Sequence, residues 1–416
     1  MIGSSSVGPP RRISLNVVPA QRPPKQGAEE PPGVILSEPM RRFRCNQKGC
    51  CCSGWDIPFR LDDFLRLAEH LPGHEREKLR NGIQLVLEDP EKGDSVEGKA
   101  ILHSLKLDGV GEDRACRFLE PAGTCRVHAT VGMQALPDLC VDFPAFPYKR
   151  DDGQLELWFD PVCPEVLERI DESDAPLALH RQPGWFGDAN LDPRLSHAAD
   201  PIAARLGKVR LAPEQMDLIR AAALAALADP DRPVWRTLAA LAHAFRRLHV
   251  GGELAFEVVE AEDPRPFLLF LHGCIAAHGA QVLGATFLRY RRFVWAMDPA
   301  ELVERLPCIV DHLDAWEPAM GKWLAPAEDG LRPLMLRWLS HRFGTPMVKG
   351  RGELREAADS ILHVYGCALR FAAAFGAALE RPVDRTLFKV ALGSAEFFYR
   401  SLHLPREALP WFAAPG

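Results

Sequence analysis

The chain has 416 residues, 47% apolar and 25% charged, which suits two or three globular domains and excludes a collagenous or wholly disordered protein. Its formal net charge of −6 at pH 7 argues against a protein whose main task is to grip nucleic-acid phosphates. No stretch has the ~18 continuous apolar residues of a membrane-spanning helix. The nearest, Pro266 to Leu288, lacks Asp, Glu, Lys and Arg, holds His272 and His278, and reads as a buried helix.

The opening MIGSSSVGPPRR has no apolar segment of the secretory kind, so a cytoplasmic, reducing location is expected. Residues 1–38 are rich in Pro, Gly and Ser and read as a disordered tail. Residues 39–165 hold most of the cysteines. Within them Asp62 can cap a helix over DDFLRLAEHL, His74 to Glu88 reads as a second helix, and Gln154 to Phe159 alternates like a short strand. Turn chemistry marks Lys48-Gly49, Pro121 to Gly123 and Asp151 to Gly153. Residues 166–210, punctuated by Pro176, Pro183, Gly184, Gly187, Pro193 and Pro201, read as a connector.

Residues 211–416 turn helical. Periodic stretches begin at Pro213 and continue over Pro233–His249, Pro266–Leu288, Pro299–Trp316, Leu331–Phe343, Leu354–Leu379 and Val383–Leu402. The expected fold is mainly α: a small cysteine-rich α+β metal-binding knot packed on an α-helical bundle, behind a disordered tail.

Eight of the 11 cysteines fall between Cys45 and Cys163, in four groups: Cys45 with Cys50, Cys51 and Cys52; Cys116 with Cys125; Cys140; and Cys163. In a reducing compartment such clustering signals metal more often than disulfides, and thiolates suit both zinc and iron–sulfur clusters. Spacing alone leaves zinc and iron open. Three adjacent cysteines cannot all point one way on an extended backbone, so at least one of Cys50, Cys51 and Cys52 is not expected to ligate. His128, three after Cys125, has ligand-like spacing but also suits a supporting or solvent-facing place. Cys274, Cys308 and Cys367 sit on apolar helix faces and read as core.

These residues resemble a known family. Phe43, Cys45, Cys51, Cys52, Gly54 and Trp55, then Cys116, Phe118, Leu119, Cys125 and Val127, then Leu136, Pro137, Cys140, Phe143 and Pro144, and lastly Cys163-Pro164, are similar to the pattern of the zinc- or iron-chelating cysteine-cluster family that includes the flagellin lysine-N-methylases. Lys48 stands where that family usually carries a cysteine, and Cys50 is additional. The resemblance implies a bound zinc or iron–sulfur cluster, S-adenosylmethionine as methyl donor, and a protein substrate such as flagellin. No nucleic acid and no membrane span are expected.

A Gly-rich donor loop has one faint counterpart, Asp108 to Gly111, with no convincing strand before it, and a plain turn explains it. Trp55, Phe143, Phe146 and Tyr148 stand next to the cysteines in sequence. They are candidates for a cofactor-binding pocket, though packing of the metal knot explains them equally well. A non-enzymatic zinc-stabilised scaffold is the rival reading, and metal storage or delivery a third.

Overall fold

The computed structural model describes residues 34–43, 52, 57–59, 61–86, 104–107, 115–172, 179–182, 200–201, 204–251, 253–256, 258–259, 265–276, 282–284, 302, 305, 308–344 and 353–401. In chain order the strands are β1 (Val34–Ser37), β2 (Ile57–Phe59), β3 (Ile83–Val86), β4 (Ser104–Leu107), β5 (Ala145–Lys149), β6 (Leu155–Phe159), β7 (Leu179–Gln182), β8 (Asp200–Pro201), β9 (Arg205–Leu206), β10 (Val209–Arg210), β11 (His249–Gly251) and β12 (Glu253–Ala255). The helices are α1 (Leu61–His70), α2 (Gly73–Gly82), α3 (Arg126–Thr130), α4 (Asp138–Asp142), α5 (Pro164–Glu172), α6 (Pro213–Leu227), α7 (Val234–Arg247), α8 (Arg265–Ala276), α9 (Ile309–Asp314), α10 (Trp316–Ala319), α11 (Glu328–Gly344), α12 (Leu354–Leu379) and α13 (Arg385–Ser401). The fold is mainly α with a small sheet.

That sheet has five strands in the order β7-β1-β6-β5-β8. β1 runs parallel to β6, and β5 pairs antiparallel with β6, Phe146 opposite Trp158 and Tyr148 opposite Glu156. Successive side chains alternate between faces. Leu155, Leu157 and Phe159 therefore share one face and join the main core, while Glu156 and Trp158 share the other. The strand-bearing Val34–Ser37 is fully buried and belongs to this sheet, although the expected tail ran to residue 38. A short apolar run beside prolines was enough to seed a central strand. The sheet also takes strands from the expected connector, so it crosses the boundaries read from composition.

α12 is the helix that the body is built on. It packs against α13, α8 and α9, and it is nearly all buried. Among the described residues it alone is long and apolar enough to cross a membrane by length and composition, and its burial makes it a core helix. α8, in contrast, is only partly buried where the sequence suggested a buried helix over 266–288. Its described residues run to Ala276 with Leu268 and Leu269 exposed and Phe267, Leu271, Cys274 and Ile275 facing the core, and residues 282–284 are helical as well. The second expected helix is also shorter: α2 stops at Gly82 and the β-branched and apolar run after it forms β3.

Between α10 and α11 the chain makes a π turn over Met320–Leu324 and a 3-10 turn over Ala325–Ala327. The wider π turn leaves the Trp323 carbonyl outside the regular ladder, and it accepts the Val383 N–H at 2.9 Å. Glu380, at φ 53°, ends α12 in the left-handed conformation, and a Cβ on Gly376 would lie 2.7 Å from the Trp323 Cβ. The α12–α13 corner is thereby seated on the π turn.

Charge is buried in knots. Arg150 donates to Glu156 at 2.9 Å and to both oxygens of Asp217, at 2.8 and 3.1 Å, while Arg220 donates to both oxygens of Glu156, at 3.2 and 2.8 Å. This clips the β5–β6 hairpin to α6. On the other side Lys389 meets Glu168 at 2.6 Å and Asp171 at 3.3 Å, and Arg337 meets Asp171 at 3.2 Å, joining α5 to α11 and α13. His341 donates from Nε2 to the Phe159 carbonyl at 2.8 Å, and its Nδ1 lies 3.3 Å from the Ser37 hydroxyl.

Two outcomes follow from these contacts. Glu156→Leu removes the buried carboxylate that two guanidinium groups share, leaving them Asp217 alone on α6, and should lower the unfolding free energy by up to about 3–5 kcal/mol, whereas Glu38→Ala, at the exposed pair with Arg41, should cost about 1 kcal/mol or less. Urea denaturation of both variants checks this, and equal small losses would refute the knot. Burial pushes His341 down to about 4 from the 6.5 of a free imidazole. The folded state therefore binds fewer protons than the unfolded one, so stability is full above pH 6.5 and declines as pH falls towards 4. The loss attributable to His341 is about 3 kcal/mol, and His341→Gln should remove that part of the acid sensitivity in melts run across this range.

Candidate functional site

The cysteine region folds around its own small core: Leu67, Leu71, Leu79, Phe118, Val127, Ala135, Leu136 and Val141, from α1, α2, α3, α4 and the loops between them. Cys116, Cys125 and Cys140, each half-buried, pack against that cluster. Cys116 and Cys125 stand on the two arms of a tight loop. Leu119 bridges to Cys125, the Arg126 N–H donates to the Phe118 carbonyl at 2.8 Å, and Gly123 at φ 86° turns the chain between them. The Cys116 N–H donates to the Cys52 carbonyl at 2.6 Å, which sets the backbone of Cys52 beside that of Cys116. Cys140 lies in α4, whose start is fixed by Arg66: it donates to Asp138 at 2.8 Å, and Asp63 accepts the Asp138 N–H at 3.1 Å.

Cys163 is placed differently. It precedes α5, is buried in the main core and accepts the Val166 N–H at 3.1 Å. Among the described residues no three His, Cys, Asp or Glu side chains come together as a metal-holding group. Cys45, Cys50, Cys51 and Trp55 lie outside the described residues, and so does Asp108 to Gly111. A strand, β4, does precede that glycine pair, in an antiparallel β2-β4-β3 sheet and not in a nucleotide-binding βαβ unit. His128 is half-buried in α3.

Phe143, Phe146 and Tyr148 fall where α4 leads into β5. Phe143 and Phe146 are half-buried, 6.2 Å apart and edge-on, and Phe146 lies 5.7 Å from Trp158, which the Arg342 guanidinium overlies at 5.8 Å. Tyr148 is buried directly opposite Glu156 in the β5–β6 pair. An aromatic seam thus runs from α4, which carries Cys140, to α11, which carries Arg342.

Sequence reading did not find the polar groups of the helical interior. Cys274 Sγ is 3.4 Å from His363 Nε2, both buried, with Cys367 near by. The pair looks like a nucleophile and its base, but burial pushes the Cys274 thiol far up and Cys367 to about 12, so both remain protonated thiols, as the core reading expects. His272 is at the surface, paired with Glu317 at 2.8 Å, and His278 lies outside the described residues. Arg370 is buried and donates to the Leu313 and Ile275 carbonyls at 2.9 and 3.0 Å, closing the ends of α9 and α8.

Arg342 is a further cation of this interior. It is nine-tenths buried, and its Nε, 3.4 Å from Glu396, makes no hydrogen bond. Asp359, on α12, is 3% exposed and its Oδ1 has no hydrogen-bond partner. Each such orphan costs about 1–3 kcal/mol. Both act on Tyr399 of α13: burial first and then the Asp359 and Glu396 carboxyls push that phenol up, while Ser360 and the Arg342 charge pull it down. Asp359 is itself pushed up to about 8 by burial and by Glu356.

A lysine-N-methylase of Salmonella typhimurium strain LT2 is 28% identical to the chain over 158 residues, 35% of this chain and 35% of that protein. The flagellar biosynthetic protein FliU of Salmonella muenchen is 28% identical over 154 residues, 35% of this chain and 82% of that protein. The chain thus covers about a third of the first relative's length. No family model matches the chain, and no solved structure matches it.

Proposed function

We propose that the chain is a protein-lysine methylase that takes its methyl group from S-adenosylmethionine and works in the reducing cytoplasm. The observation that carries this reading is the similarity to the Salmonella lysine-N-methylase. The name of the second relative supports a flagellar protein, flagellin, as substrate.

Transfer needs the lysine Nζ as a free amine. Its lone pair attacks the donor methyl carbon in line with the C–S bond, which breaks as the sulfonium becomes a thioether, and the surplus proton on nitrogen then leaves to water. With an unperturbed pKa of about 10.4, the amine must be stripped of its proton first, and an apolar setting does so by disfavouring the charged form. The half-buried Phe143 and Phe146 at the end of α4 supply such a setting beside the cysteine module. Aromatic faces also favour the sulfonium charge of the donor.

The thiols that would hold zinc or an iron–sulfur cluster are drawn from Cys45, Cys50, Cys51, Cys52, Cys116, Cys125 and Cys140, while Cys163 lies in the main core. The donor chemistry fits, because soft thiolates select these metals. Bound there, the metal would supply a cross-link between the loops that pack on the small core of Leu67, Leu71, Leu79, Phe118, Val127, Ala135, Leu136 and Val141. A metal cross-link of this kind serves equally the second reading, a zinc-stabilised scaffold without catalysis.

Metal-replete protein, incubated with methyl-labelled donor and flagellin, should place label on lysine side chains. Absence of label with protein of full metal content would overturn the methylase reading and leave the scaffold. In a separate experiment, the native protein is alkylated before and after chelation and its cysteines are mapped by mass spectrometry. Cys116, Cys125 and Cys140 should gain reactivity at least ~10-fold on chelation, since a metal-bound thiolate is masked, while Cys274 and Cys367 stay unmodified in both states. Unchanged labelling of the first three would remove the metal from the module.

A further inference from the structure

Two nearly fully buried carboxylates, Asp63 on α1 and Glu75 on α2, tie the cysteine-bearing segments of the module to one helical corner. Glu75 accepts from Arg126 Nη1 at 2.7 Å, and Arg126, the residue after Cys125, donates from Nε to Glu120 at 2.9 Å. Glu120 lies inside the Cys116–Cys125 loop, where its carbonyl accepts the Gly123 N–H at 2.8 Å and its N–H donates to the Thr124 carbonyl at 2.9 Å. One guanidinium therefore spans the loop and fastens it to α2. Asp63 accepts the Asp138 N–H at 3.1 Å and pairs with Arg66, which donates to Asp138 at 2.8 Å and to the Leu136 carbonyl at 3.1 Å. That fixes the start of α4, two residues before Cys140. A third tie sets the two helices against each other: Arg76 of α2 donates across the corner to the Leu71 carbonyl at 2.7 Å and the Glu69 carbonyl at 3.4 Å.

Stability alone is a poor reason to bury two carboxylates, since apolar replacements often serve as well. What charge-assisted hydrogen bonds add is direction: an apolar contact lets a short loop slide, whereas a guanidinium held at both ends does not. Both ties end on segments that carry a candidate thiol, and Cys125 and Cys140 pack against the same apolar core. We propose that Asp63 and Glu75 are positioning residues for the metal site, which set the backbone of Cys140 and Cys125, through Arg66 and Arg126, before any metal binds. This rests on the reading of the module's thiols as metal ligands, and adds that α1 and α2 hold two of those ligands in place without the ion. A ligand set ordered in advance loses less freedom on binding, so the affinity for metal depends on the two carboxylates.

Metal-free full-length protein is titrated with cobalt(II), or reconstituted with iron and sulfide if it takes up no cobalt, and followed by visible absorbance. Glu75→Ala and Asp63→Ala each cut one tie and should weaken metal binding about 10- to 100-fold. Leu79→Ala thins the same apolar core and touches none of the polar ties, so it should lower the melting temperature while metal binds with the parent's affinity and spectrum. Hydrogen–deuterium exchange of the metal-free parent supplies a reading that needs no variant. Peptides spanning 118–126 and 136–143 should stay protected there, because their amides are held by the loop bonds and by Asp63. The proposal is overturned if the alanine variants bind metal as the parent does, or if Leu79→Ala weakens binding as much as they do. It is overturned equally if both peptides lose protection when metal is removed, since the ion then makes the geometry, and this result decides the matter should the alanine variants not fold. A parent that takes up neither cobalt nor iron and sulfide removes the metal from the module and this proposal with it. A parent that binds metal but is unprotected without it removes the positioning role alone.

Discussion

Charge inside an apolar body survives only where each group finds its complement, and most of this protein's architecture can be traced to that requirement. Glu156 sits on a strand whose other face belongs to the core, and two arginines close over it. Without them the β5–β6 hairpin could not be buried on both sides, and α6 would have no fixed azimuth on the sheet. Lys389, Glu168 and Asp171 do the same for α5, which holds Cys163 at its start. The cysteine module and the helical body are joined through this sheet, because α4 runs directly into β5.

Some elements are legible in the sequence for a simple reason. Leu354–Leu379 is read with its observed ends because its apolar residues recur at helical spacing over many turns and charge resumes at Glu380. The β5–β6 turn is legible from Asp151 to Gly153, with Gly153 at φ 83° as that turn requires. Val34–Ser37 is harder, since four residues carry too little periodicity to outweigh the prolines before them, and their burial comes from partners more than a hundred residues away. Pro266–Leu288 misleads for a different reason. Absence of charge signals burial only when no other apolar surface is tolerated, and α8 keeps Leu268 and Leu269 in solvent.

The candidate site divides in the same way. Cys116, Cys125 and Cys140 stand out in the sequence because thiols between turn residues are marked locally, and the structure packs all three against one small apolar core. Asp63 and Glu75 carry no such local mark. One lies in the first turn of α1 and the other in the first turn of α2, and each resembles an ordinary charged residue on a helix face. Only tertiary placement buries them against Arg66 and Arg126, so no pattern in a single sequence could single them out. The similarity to the Salmonella proteins, at 28% identity over about a third of the chain, is carried by fewer residues than the structure buries.

The π turn at Met320–Leu324 has a mechanical implication. A helix advances by roughly 100° of rotation per residue, so one residue more or less in this stretch would swing every side chain of α11 round to a new heading. His341 would leave Phe159, Trp338 would leave Glu396, and the corner now resting on the Trp323 carbonyl would lose its seat. The bulge works as a phase adjuster: it sets the angular offset between the first and second halves of a long helical rod, and natural length variation should be tolerated in neighbouring loops far sooner than here.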